Sequence, residues 1–211
     1  MNESKLREEI CYFGKSMFDR GMTVGSSGNI SVRTEDGAWL MTPTNSCMGR
    51  LDPARISKVD AKGNLISGDK PTKEAFLHLS MYERRVESRA IVHLHSTHSV
   101  AVSVLSDIDP QQPIPPITPY YVMKIGKLAL LPYYAPGDIT LANAVREVAD
   151  KHHAILLANH GPVVAGKDLE SAVYATEELE ETAKIYLMLR GNRMKILAPE
   201  QVDYLHKKFP S

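Results

Sequence analysis

Ala90-Ile91-Val92-His93-Leu94-His95-Ser96-Thr97-His98 is the stretch around which the rest of the chain is organised. An apolar run leads into a histidine, a leucine and a second histidine. In a β-strand, residues two apart share a face, so His93 and His95 project together while Val92 and Leu94 face the other way. Two imidazoles held on one rigid element are either two ligands of a metal site that needs a third or an ordinary core or surface pair. A second apolar run, Ala154-Ile155-Leu156-Leu157-Ala158, reads as a strand buried on both faces. It ends at Asn159-His160-Gly161-Pro162, where a glycine frees the backbone and His160 offers a third imidazole.

Around these two strands the pattern alternates irregularly between helix and strand. Ser4 to Met22 carries Leu6, Ile10, Phe13 and Met17 at helical spacing, and Gly21 is placed to end the helix. Residues 29–33 and Ala38 to Thr42 read as strands joined through Glu35-Asp36-Gly37, and Ile56 to Val59 pairs with Asn64 to Ile66 through Asp60-Ala61-Lys62-Gly63. Thr72 is a helix N-cap candidate, with a helix from about Lys73 to Arg85 that turns Ala75, Leu79 and Tyr82 or Phe76 inward. Ser96 caps a helix to about Leu105. Asp107 to Pro119 holds five of the thirteen prolines and reads as a loop ended by Tyr120-Tyr121-Val122-Met123.

Pro132 to Gly137 reads as a tight connection, and Thr140 to Asp150 as a helix with Leu141, Val145 and Val148 on one face. Val163 to Gly166 pairs back on the preceding strand. Leu169 to Leu189 is a long helix with Val173, Leu179 and Ile185 inside and Glu177, Glu178, Glu180 and Glu181 on a solvated acidic face. The tail after Gly191 reads as surface helix and coil. The mixed order, with several hairpins, predicts a single-domain three-layer α/β/α sandwich over residues 1–211, built on a mixed, largely antiparallel sheet.

Composition narrows the function. Lys+Arg and Asp+Glu both number 25, so the formal net charge is zero and nothing pulls the whole chain toward nucleic acid or an anionic membrane. An anionic substrate then depends on local donors. The two cysteines, Cys11 and Cys47, make no disulfide framework. Met1 to Glu9 lacks the apolar core of a signal peptide, and no apolar run approaches the roughly 18 residues of a membrane span. A cytoplasmic protein is expected.

Other histidines and a carboxylate compete for the site. His98 falls on the helix after the histidine strand and points elsewhere, and His152 and His153 lie in a polar connection and read as exposed. Glu74 lies in the first turn of its helix. There it is either a carboxylate favoured by the helix dipole or a base and extra metal ligand, and position alone leaves both open. His78, one turn later, is placed to back up the same site. Gly25-Ser26-Ser27-Gly28-Asn29-Ile30 precedes a strand, so it is neither a Walker loop nor a dinucleotide fingerprint. By itself it is either an ordinary turn or a cradle whose exposed N–H groups and hydroxyls suit a phosphate.

Taken together, Ser26-Ser27-Gly28-Asn29-Ile30-Ser31, Thr42-Pro43-Thr44, Pro71-Thr72-Lys73-Glu74, His93-Leu94-His95 and Asn159-His160-Gly161 stand in the order and spacing of the class II aldolase/adducin-head family, which the chain resembles from about residue 3 to 190. The resemblance implies a zinc ion held by His93, His95 and His160, with Glu74 as acid/base carboxylate and additional ligand. It implies phosphate loops at Ser26, Ser27, Gly28 and Asn29, at Thr44 and Asn45, and at Thr72 and Lys73. It puts a proton-donating tyrosine at Tyr120, with Tyr121 as the alternative, reaching into a neighbouring subunit's site in a cyclic homotetramer.

Within the family, Thr118-Pro119-Tyr120-Tyr121-Val122-Met123 and Cys47 resemble the branch that decarboxylates phosphorylated sugar acids through a metal-stabilised enediolate. Sugar-phosphate aldolases and 4-epimerases are the alternative, and a metal-free adducin-like interaction module a further one. Asn45 stands where the aldolases carry glycine, and Lys73 where they carry a small hydroxyl. The added cation suits a more anionic substrate.

Overall fold

The computed structural model describes residues 2–135 and 137–209, so Pro136, in the connection expected over 132–137, lies outside the described residues. The elements, in order, are α1 (Glu3–Asp19), β1 (Asn29–Arg33), β2 (Trp39–Met41), β3 (Ser57–Val59), β4 (Leu65–Ser67), α2 (Ala75–Arg84), β5 (Ala90–His93), α3 (Thr97–Ser103), α4 (Pro119–Ile125), β6 (Leu128–Leu131), α5 (Thr140–Val148), β7 (Ala154–Leu157), β8 (Gly161–Gly166), α6 (Leu169–Leu189) and α7 (Pro199–Lys208). The strands form one eight-stranded sheet, ordered β4-β3-β2-β1-β5-β8-β7-β6. β6 and β7 pair in parallel, joined by the crossover helix α5 that a parallel pair requires. Every other pairing is antiparallel.

Alternation along β5 decides the layers. Ile91 packs with Leu77, Met81 and Val145 under α2 and α5. Val92 and Leu94 pack on the opposite face with Ile10, Met17 and Val173 of α1 and α6. A third cluster, including Val122, Leu156, Leu179 and Ala183, continues that second face under α4 and α6. The result is the expected α/β/α sandwich. His93 shares the face of Ile91 and therefore projects toward α2.

Four local expectations change. α2 begins at Ala75, with Glu74 rather than Thr72 in the N-cap position, and the Thr72 hydroxyl accepts from the Glu74 N–H at 3.2 Å. The helix buries Leu77 and Met81 most deeply, whereas Ala75, Phe76 and Leu79 are only partly buried. Tyr120 to Met123 does not merely end a loop but belongs to α4, which Thr118 caps by accepting from Tyr121 N and which starts on Pro119. β6 was not anticipated: its four residues gain strand character only from pairing with β7.

His152 and His153 are half-buried rather than exposed. They donate to the carbonyls of Lys127 and Lys124 at 2.7 and 2.9 Å, and burial pushes the His153 imidazole down to about 4. Among the described residues no helix is long and apolar enough to cross a membrane, and both cysteines are free thiols.

Candidate metal centre

The site is assembled at one end of the sheet. Register places Asn29, at the start of β1, opposite His93, at the end of β5, and His93 opposite Val163 of β8. His95 lies just past the strand end, and His160 sits in the turn between β7 and β8. Two glycines let the flanking loops close on the histidine segment. Gly161 has φ +149°, and a Cβ there would collide with the Leu94 carbonyl. Gly28 has φ +80°, and its Cβ would lie 3.0 Å from both the His93 carbonyl oxygen and Leu94 Cδ2.

The three imidazoles converge through the same atom. His93 Nε2 lies 3.2 Å from His95 Nε2 and 3.3 Å from His160 Nε2. Glu74 closes the group, with Oε1 3.2 Å from His160 Nε2 and Oε2 3.4 Å from His93 Nε2. Ligand atoms about 2.05 Å from one ion in tetrahedral geometry stand about 3.3 Å apart; the nearest pairs here match that, and with all four groups within 4.8 Å of one another the cluster could hold a divalent ion. His93 Nδ1 donates to the Pro162 carbonyl at 2.8 Å, which turns the Nε2 lone pair toward the cluster. Burial pushes the His93 imidazole down to about 4 and lowers that of His95, which favours the neutral form that metal ligation needs. Burial alone would raise the Glu74 carboxyl, and the Asn29 amide, donating to Oε2, works against it.

Comparison with known proteins identifies the family. Residues 8–187 match the family described as Class II Aldolase and Adducin N-terminal domain. The chain belongs to that family. It is 47% identical over 208 residues to the 3-oxo-tetronate 4-phosphate decarboxylase of Haemophilus influenzae, covering 99% of both chains. It is 33% identical to the L-fuculose phosphate aldolase of the same organism, covering 99% of this chain and 95% of the relative. The crystal structure of YgbL from Escherichia coli superposes with TM-score 0.94 at 46% identity, over 96% of this chain and 98% of that one.

Around the cage of this family member lies an open cavity of about 870 Å³. The three polar turns are in its lining: Ser26 to Asn29, Thr44 with Asn45, and Thr72 with Lys73. The first is tied internally, with Ser27 Oγ donating to the Val24 carbonyl and Thr23 Oγ1 to that of Ser27, both at 2.7 Å. Asn45 has φ +56°, a left-handed conformation that asparagine tolerates better than other side chains, so it keeps the backbone shape that glycine would take there. Lys73 is exposed on the cavity wall.

The lining also includes Val100, Tyr133, Tyr134 and Asn159, which the sequence does not single out as site residues. Tyr133 and Tyr134 follow β6, and because that strand was missed nothing pointed to them. Tyr120 is not in the lining of this chain's own cavity and is 62% exposed on α4. Tyr121 is buried and donates to the Ile114 carbonyl at 3.3 Å. His98 stands outside the cage, paired with Glu180 at 2.8 Å. Glu180 is correspondingly not on a solvated face; only 12% of its side chain is exposed.

Proposed function

We propose that this chain converts 3-oxo-tetronate 4-phosphate to dihydroxyacetone phosphate and CO2. The observation that carries the proposal is likeness over 99% of both chains to a relative of that name. It is supported by a ligand cage, a carboxylate and phosphate-sized turns that meet in one cavity. A divalent ion, taken as zinc from the three-imidazole donor set, supplies positive charge that polarises the C3 carbonyl and steadies the enediolate left by decarboxylation.

His93, His95 and His160 hold that ion. The hydroxyls and N–H groups of Ser26 to Asn29, Thr44, Asn45 and Thr72 receive the phosphate, with the Lys73 ammonium balancing its charge. As the C1–C2 bond breaks, its electron pair stays on C2 and is delocalised toward the C3 oxygen. Glu74 moves a proton on the enediol oxygens, and Tyr120 of a neighbouring subunit delivers one to C2. An exposed Tyr120 and a buried Tyr121 favour Tyr120 as the donor, in a homotetramer with sites between subunits. We read the chain as one domain built on its single sheet, and a reducing cytoplasm suits its free thiols.

Retro-aldol cleavage passes through the same enediolate and differs only in the group that leaves, so direct assay separates the two. CO2 release from the phosphorylated 3-oxo-acid is expected from purified enzyme. No CO2 there, with rapid aldehyde release from fuculose 1-phosphate, overturns the proposal in favour of an aldolase.

A further inference from the structure

Behind Glu74 runs a chain of buried side chains of which the chemistry above uses only Asn29. Asn29 Nδ2 donates to Glu74 Oε2 at 2.7 Å, and Asn29 Oδ1 lies 2.5 Å from His78 Nε2. His78 Nδ1 lies 2.7 Å from Ser31 Oγ, which stands 3.0 Å from the Tyr82 hydroxyl. His78 and Ser31 are wholly buried, and Asn29 and Tyr82 nearly so. The chain is a seam between two periodicities: residues 29 and 31 share one face of β1, and residues 74, 78 and 82 form one stripe along α2 and its cap.

Hydrogen bonding fixes the direction of the whole series. A carboxylate only accepts, so Asn29 must turn its NH2 to Glu74 and its carbonyl to His78. That carbonyl needs a donor, so His78 carries its proton on Nε2. Nδ1 then accepts from Ser31 O–H, and the Tyr82 hydroxyl donates to Ser31, reaching both Oγ and the carbonyl, the latter at 3.1 Å. Were His78 to carry its proton on Nδ1, a lone pair would face the Asn29 carbonyl. The amide would then flip and set its oxygen against Glu74.

We propose that His78 is a positioning residue that locks the Asn29 amide, so that Glu74 Oε2 is tethered and Oε1 is left to work toward the cage. The inference rests on Glu74 acting at this site, whichever group leaves the substrate.

In the metal-loaded protein, a two-bond 1H–15N spectrum of labelled histidines is expected to show His78 as the neutral Nε2–H tautomer. A proton on Nδ1 overturns the proposal whatever reaction is catalysed. In turnover, His78→Phe is expected to lower kcat about 10- to 100-fold with KM and bound metal nearly unchanged. His78→Gln, whose amide N–H reaches the Nε2 position, should recover most of that loss. Equal losses in both variants, or none in either, overturn it. Should His78→Phe not fold, Ser31→Ala removes the donor to Nδ1 with little change in volume and should lower kcat a fewfold; an unchanged kcat counts against the lock. Release of aldehyde instead of CO2 would end the proposed function and leave this inference standing, because kcat is then read on that substrate.

Discussion

Glu74 and Glu180 are both largely buried glutamates beside histidines, and they are doing different things. Glu180 on α6 has both oxygens filled by the first turn of α3: the N–H groups of His98 and Ser99 donate at 2.8 and 2.9 Å, the Ser99 hydroxyl at 2.7 Å, and His98 Nδ1 lies at 2.8 Å. It is a cap supplied from another helix, placed where the helix dipole favours negative charge. Among the described residues no backbone N–H donates to Glu74; Asn29 holds one oxygen, and the carboxylate otherwise faces Nε2 of His160 and His93 at 3.2 and 3.4 Å. A carboxylate whose acceptor sites are filled by protein donors is structural. One that meets a single amide and a cluster of imidazoles keeps acceptor sites for a cation or a proton in transit.

Breaking the cage should produce the largest effect. His160→Ala is expected to leave the fold intact while removing bound metal and lowering turnover at least about a thousandfold, the several kcal/mol a Lewis acid contributes. Metal analysis beside a melting curve checks it. Glu74→Gln keeps the shape and removes the base, so turnover should fall about a hundredfold or more while the melting temperature holds. Lys73→Met should raise KM roughly tenfold, one charge-assisted hydrogen bond's worth, with kcat little changed.

Glu180→Gln should do the reverse of Glu74→Gln: activity holds, and stability falls by about 1–2 kcal/mol, the scale of a lost cap. Burial alone would raise the Glu180 carboxyl, but the α3 donors outweigh it and hold it below its ordinary value of 4.5. The native state therefore gains from the ionised form. That gain is complete above the ordinary value and lost as pH falls through the lower folded one. Denaturant titrations should show the gap between wild type and Glu180→Gln widest near about pH 7 and closing in acid. A gap that stays constant with pH would assign the effect to packing instead.

The cage was legible because its signals are local. His93 and His95 stand two apart beside an apolar run, and His160 follows a second such run into a glycine. Glu74 could not be told from a helix-dipole carboxylate by its position, because the difference lies in what its oxygens face. Glu180 was read as solvated for the same reason: four acidic residues in five look like a surface face until α3 docks on one of them. Tyr133 and Tyr134 stayed hidden behind β6, whose four residues carry no period long enough to read and become a strand only beside β7.

The sequence by itself determined the alternation that sends Val92 and Leu94 into one layer and His93 toward the other, the turns at Gly28 and Gly161, and the identity of the three imidazoles. These follow from backbone periodicity and from glycine's access to positive φ, both properties of a few neighbouring residues. Tertiary structure alone decided that Asn29 meets Glu74, that His78 stands behind them, that Tyr121 is buried while Tyr120 is exposed, and that Glu180 caps a helix 81 residues away. Those depend on which strand lies beside which and on which donors reach a carboxylate, and no local pattern encodes either.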